Sequence, residues 1–374
     1  MGEMFLRPGT PDDDNRDYLP EKIKGSDIVV NENGNNSQPY PERLNEYHGV
    51  IADGLEDEWY VYVPESYDPS VKTPLVVSLH GGMMTGWGQA IYTSWTLASD
   101  RDGFIVLFPN ASYQRFWQVQ WGTWEINPEK LTPGAMEGEP EGVKSCPENV
   151  EDNHDIKLIM GLIEKMKAEY NIDEGRIFMQ GMSMGNMMTA LFARNFGNIL
   201  AGAAGSGAAA FMSLIFDKDE RIINRGGPLA IWQSRPELND IPPGREIEKR
   251  VHKYNRLYWM RINECDLIPQ ITIQGENNLA FYKGKKADLV YYDIKNRDHG
   301  QTFDDAVLVW DYLFSGIRRE KDGTVVCTKP ARERKGDDFA FAVTSGSNRV
   351  WFRNRIQEMS GPALNWKKMK YHGL

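Results

Sequence analysis

Cysteine is scarce in this chain: Cys146, Cys265 and Cys327 are the only three in 374 residues. They are widely spaced and form no Cys-x-x-Cys pair, which argues against a structural zinc site. Free thiols are the expectation. Basic charge is also short. Lysine and arginine number 43 against 53 aspartates and glutamates, a net charge of −10. An acidic chain without a basic block excludes nucleic acid or an anionic membrane as the main partner. A long apolar run is missing too. Residues 195–216 carry no charge, but they are mostly Gly, Ala and Ser and read as a buried small-residue strand and turn, not a membrane span. The stretch Met1 to Pro8 lacks an apolar signal core and is followed by Asp12, Asp13 and Asp14, so the expected location is cytoplasmic. No internal repeat occurs.

Tryptophan, by contrast, is plentiful, with 11 copies. So much aromatic surface is buried or lines a binding site. Short apolar runs stand out at Trp59–Val63, Leu75–Leu79 and Phe104–Phe108, each closed by Pro or by His-Gly-Gly. Further strands are expected at 176–179, 229–233 and 289–294. Continuous runs of this length suggest strands buried on both faces, as in a mostly parallel sheet. Helical spacing appears between them. Asp155 is a candidate cap for a helix with Ile159, Leu162, Ile163 and Met166 on one face. Other helices are expected at 184–195 and 302–314. Strands alternating with helices predict an α/β fold with a central, mostly parallel sheet flanked by helices.

The expected organisation is an extension over 1–45, one catalytic domain over 46–318 and an extension over 319–374. The last segment turns basic (Arg318, Arg319, Lys321), read as a solvated face, with a hairpin around 345–348. Two inter-strand insertions, about 111–150 and 234–286, have the length and polarity of lids or binding loops.

The strongest chemical signal is Gly181-Met182-Ser183-Met184-Gly185, after one expected strand and before one expected helix. That is the context of a Gly-x-Ser-x-Gly nucleophile elbow, with the Met184 N–H placed to meet an oxyanion. His80-Gly81-Gly82-Met83 follows an earlier strand. Such a loop supplies a second oxyanion donor, from Gly82 or Met83. A serine needs a base. In the order Ser, acid, His, the candidate base is His299, after the run 289–294, in preference to His252 or His372. The candidate acids after 229–233 are Asp240, which is preferred, and Glu237. Trp117, Trp121 and Trp124 offer either an aromatic wall for a substrate or packing of the insertion. The methionines around the elbow read as core filling.

Several blocks carry a family resemblance. Leu79-His80-Gly81, the block Gly103 to Pro109, the stretch from Tyr170 to Gly185, and Asp298-His299-Gly300 ahead of Val309-Trp310-Asp311 are the residues concerned. Together they resemble the polyhydroxybutyrate depolymerase and feruloyl esterase branch of the α/β-hydrolases, similar to carbohydrate esterase family 1. One departure is Asn186, where the family commonly has another glycine. The resemblance implies an α/β-hydrolase fold and a serine esterase with Ser183 as nucleophile, His299 as base and Asp240 as acid. It implies no metal or organic cofactor. The expected partner is a small or oligomeric ester, such as a hydroxycinnamoyl or hydroxyalkanoate ester, with a homo-oligomer as a further expectation. A serine peptidase on the same fold, or a hydrolase-fold binding protein without catalysis, are the alternatives.

Overall fold

The computed structural model describes residues 29–30, 37–38, 43–82, 84–112, 115–119, 146–207, 215, 221–236, 246–274, 277–294 and 305–328. Strands β1 (Val29–Val30) and β2 (Ser37–Gln38) pair only with each other. The main sheet comprises β3 (Leu44–Val50), β4 (Glu56–Tyr62), β5 (Thr73–Leu79), β6 (Ile105–Pro109), β7 (Ile172–Met182), β8 (Gly202–Ser206), β9 (Ala230–Pro236), β10 (Gln270–Gln274), β11 (Asn277–Tyr282) and β12 (Leu289–Ile294). Its order is β10-β11-β12-β9-β8-β7-β5-β6-β4-β3. The six strands from β12 to β6 run parallel, and both ends are antiparallel. Every residue of β5 and β6 is buried, as expected of apolar runs covered on both faces. Edge strand β3 instead mixes half-buried and exposed residues.

Helices cover both faces. Residues of α3 (His154–Glu169), α4 (Met184–Phe196) and α5 (Glu246–Ile262) share one buried cluster with one face of the sheet. Residues of α1 (Gly86–Tyr92), α2 (Trp95–Asp102) and α6 (Asp305–Tyr312) share the other. All tryptophans among the described residues (59, 87, 95, 117, 232, 259 and 310) are buried. Phe104 stacks on Trp310 and Phe178 on Phe314, with centroids 3.9 and 4.4 Å apart. The aromatic excess therefore goes largely into the two helix–sheet interfaces. Among the described residues no helix is long and apolar enough to cross a membrane.

Three expectations need correction. Helix α3 is capped by Asn153, whose side chain accepts from Ile156 N at 3.1 Å. Asp155 is buried and accepts from Ser112 and Gln118 instead, holding the segment after β6 onto α3. Residues 234–286 are not mainly a loop. They contain α5 and the β10–β11 hairpin, which extends the sheet. The folded chain also continues across the expected boundary at residue 318. A hairpin of β13 (Ile317–Arg319) and β14 (Val325–Cys327) crosses that boundary. The basic run is not wholly solvated: Arg319 is 9 % exposed and donates to the carbonyls of Leu200, Gly197, Pro228 and Gly323. Arg318 pairs with Asp173 at 2.7 Å. The expected hairpin around 345–348 and most of the 1–45 extension lie outside the described residues.

Candidate active site

Strand β7 sits in the middle of the parallel block, between β5 and β8. It ends at Met182, and α4 starts at Met184. Ser183 alone makes the turn, at φ 55° and ψ −118°. A side chain at positive φ costs about 1–3 kcal/mol, so the surroundings must hold it there. They do so through backbone. Ser183 N donates to Ser206 O at 2.8 Å, tying the turn to the end of β8. Met187 N donates to Ser183 O at 3.1 Å and opens the helix ladder.

The glycines on either side follow from close approach. A Cβ on Gly181 would overlap the Gly185 carbonyl, and one on Gly185 would overlap the carbonyls of Leu79 and His80. Helix α4 therefore starts directly beneath the end of β5. Its first N–H groups have no intrahelical partner. No acidic residue lies in its first turn to compete for its positive end. The Met184 N–H is thus a donor beside the Ser183 side chain.

The loop after β5 lies over the same point. The Cβ position of Gly81 is 3.5 Å from Ser183 Cβ, and that of Gly82 is 3.2 Å from Met184 Sδ and 3.4 Å from Phe116. Gly81 is buried and Gly82 half-buried. The loop is braced from behind. His80 is fully buried, donates through Nδ1 to Gly81 O at 2.6 Å and accepts from Ala111 N at Nε2, 2.9 Å away. Burial depresses its pKa to about 4, so this histidine is neutral. Trp117 Nε1 donates to His80 O at 2.7 Å, and the two rings lie 4.9 Å apart.

Trp117 is 0 % exposed. It packs behind the glycine loop, as the packing alternative expects. Trp121, Trp124 and Met83 lie outside the described residues. Met84, Met182, Met184, Met187 and Met188 are all buried, as core filling requires.

A polar knot beneath the elbow was not picked out in the sequence. Gln180 Oε1 accepts from Ser78 Oγ at 2.8 Å, Trp95 Nε1 at 3.0 Å and Gln89 Nε2 at 3.2 Å. These buried groups fix β7 against β5, α1 and α2 just below Ser183. Polar residues inside apolar strands could have flagged it, but the partners lie up to 102 positions apart.

His299, Asp240 and Glu237 lie outside the described residues. The strands leading to them are described. Pro236, the last residue of β9, and Ile294, the last of β12, are register partners. Ser206 at the end of β8 pairs with Met182 and with Ser234. The segments carrying the candidate nucleophile, acid and base thus leave one carboxyl edge of the sheet, from β7, β9 and β12. Ser234 Oγ also donates to buried Asp305 at the start of α6, linking the chain before one segment to the chain after the other.

No protein-family model matches the chain. It is 24% identical over 265 residues to a bifunctional acetylxylan esterase/xylanase of Neocallimastix patriciarum, covering 70% of this chain and 33% of that protein. It is 31% identical over 156 residues to feruloyl esterase B of Neurospora crassa, covering 40% of this chain and 44% of that one. The chain thus spans between a third and a half of the length of these curated relatives. Among solved structures, the acetyl xylan esterase from Aspergillus awamori superimposes with a TM-score of 0.51 at 15% identity, over 72% of this chain and 99% of that chain. The sequence similarities fall in the feruloyl and acetylxylan esterase branch that the motifs resemble. The fold is that of the α/β-hydrolases.

Proposed function

We propose that the protein hydrolyses carboxylic esters through an acyl-enzyme formed on Ser183. One observation carries this reading: Ser183 is held at φ 55° at the end of the central strand, with the Gly81–Gly82 loop against it. Only a few residues tolerate that backbone, and in this reading the constraint serves to present the hydroxyl of Ser183 beside the N–H groups of Met184 and the Gly82 region. In the proposed reaction Ser183 Oγ attacks the ester carbonyl carbon, and its proton passes to His299. The N–H groups of Met184 and the Gly82 region meet the oxyanion. As the tetrahedral species collapses, His299 returns the proton to the leaving alcohol. A water activated by the same imidazole then releases the acid. Asp240, with Glu237 as the alternative, orients the imidazole.

The similarity to feruloyl and acetylxylan esterases favours hydroxycinnamoyl and acetyl esters of carbohydrates as the substrate class. Hydroxyalkanoate esters are the second choice. The test is a panel of acetyl, feruloyl and hydroxybutyryl esters beside an aminoacyl p-nitroanilide. Wild type should cleave esters in preference to the anilide and be labelled by a fluorophosphonate. Ser183→Ala should lose about 10⁴-fold or more in kcat with an unchanged melting temperature. Full activity in that variant would sink the reading, and preferential anilide cleavage would move it to a peptidase.

A further inference from the structure

One cavity runs along α4 from the elbow, between α4, α5 and strands β8, β9 and β12. Its volume of about 30 Å³ is enough for roughly two waters or one small ion. The lining follows one face of α4, from Asn186 through Thr189 and Ala193 to Arg194. Asn186 fills the space that a side chain at position 205 would take, so the departure from glycine there is matched by Gly205 on β8.

Arg194 is 1 % exposed. Its Nη1 donates to Ala190 O at 3.1 Å and its Nη2 to Asn255 Oδ1 at 2.9 Å. Nε makes no hydrogen bond. The guanidinium lies 4.5 Å from the Tyr258 ring centre and 5.4 Å from that of Trp259. All of these partners are neutral, and among the described residues no carboxylate pairs with it. The wall nearby does not supply one. Tyr291, which lines the same cavity, has Arg256 over its ring at 5.7 Å. Arg235 also acts on Tyr291, and Asp293 is occupied by Arg235 at 2.7 Å. A guanidinium stays charged inside a protein, and a buried charge requires a counter-charge. Ring faces and neutral carbonyls replace only part of its lost hydration.

We propose that this cavity binds one small monovalent anion, a halide or a carboxylate of acetate size, held by Arg194. The bound ion completes the donor set of the guanidinium and braces α4 against α5. Because α4 begins at Ser183, the ion stabilises the helix that carries the candidate nucleophile. The site does not depend on the ester hydrolysis reading.

The test compares melting temperatures in sodium chloride, sodium acetate and sodium gluconate at constant ionic strength, gluconate being too large to enter. In wild type, chloride or acetate should raise the melting temperature in a saturable way, by about 3–6 °C at ten times the dissociation constant. Arg194→Met should melt at one temperature in all three salts. A response to chloride alone marks a halide site, and a response to acetate marks a carboxylate site. Equal melting of wild type in the three salts, or the same anion response in Arg194→Met, overturns the proposal. Should that variant fail to fold, chloride-35 line widths on wild type decide. Broadening relieved by excess bromide or acetate supports the site, and no broadening overturns it.

Discussion

At the scale of single residues, the candidate site is held by groups that take no part in the chemistry. His80 illustrates this. Its ring is fully buried and spends both nitrogens on backbone, one on Gly81 O and one on Ala111 N. A charged imidazole could not accept from Ala111, so protonation would break the brace of the glycine loop. The folded pKa is pushed down from 6.5 to about 4. Between those values the unfolded chain binds the extra proton and the folded chain does not. Stability from this group is therefore complete above pH 6.5 and falls as pH drops toward 4, by about 3 kcal/mol in all. Urea unfolding from pH 7 to pH 4 should show this loss in wild type. His80→Gln should be less stable at pH 7 but lack that part of the pH dependence. Parallel curves for the two proteins would contradict it.

At the scale of elements, the geometry comes from three backbones brought unusually close. The end of β5, the end of β7 and the first turn of α4 meet with glycine at each contact. At Gly185 an added Cβ would fall on the carbonyls of Leu79 and His80, which cannot swing aside. Gly185→Ala should cost about 3 kcal/mol or more and lower kcat by shifting the start of α4. Gly82→Ala meets only the ends of Met184 and Phe116, at 3.2 and 3.4 Å, so its loss of stability should stay below about 1 kcal/mol. Thermal melting of the two variants checks this contrast. Most elements here were legible beforehand. Leu75–Leu79 and Leu289–Ile294 are short apolar runs with sharp ends, and α4 follows a glycine motif. The β10–β11 hairpin was not. Residues 270–274, Gln-Ile-Thr-Ile-Gln, form an edge strand in which Ile271 is exposed, so no buried run marked them.

At the scale of the whole molecule, the chain closes on itself late. Arg319, on the hairpin after α6, reaches back to carbonyls at 197, 200 and 228, at the turns before β8 and β9. Burial draws its pKa down to about 10, still charged at neutral pH. Arg319→Met keeps the side-chain bulk and strands those carbonyls. It should destabilise the fold by about 3 kcal/mol, read as a lower urea midpoint with an unchanged slope. The effect should be much smaller for Arg318→Met, whose exposed guanidinium pairs with Asp173 and, at the surface, with Glu320.

Local pattern was enough to place the parallel strands, the turn at Ser183 and its two glycines, because burial, periodicity and tight turns leave their mark within a dozen neighbouring residues. It also named Ser183 and the Gly81–Gly82 loop as a pair. It left Trp117 open, offered Asp155 as a helix cap and read Arg319 as solvated, and all three are buried. Tryptophan, aspartate and arginine have the same composition signature in a binding site and in a buried brace. The difference is made by a carbonyl or an amide elsewhere in the chain, 37 positions away for Trp117 and His80 and up to 122 for Arg319. Hydrogen-bond partners so distant are chosen by the packing of helices on the sheet, which forms only when the whole domain has assembled.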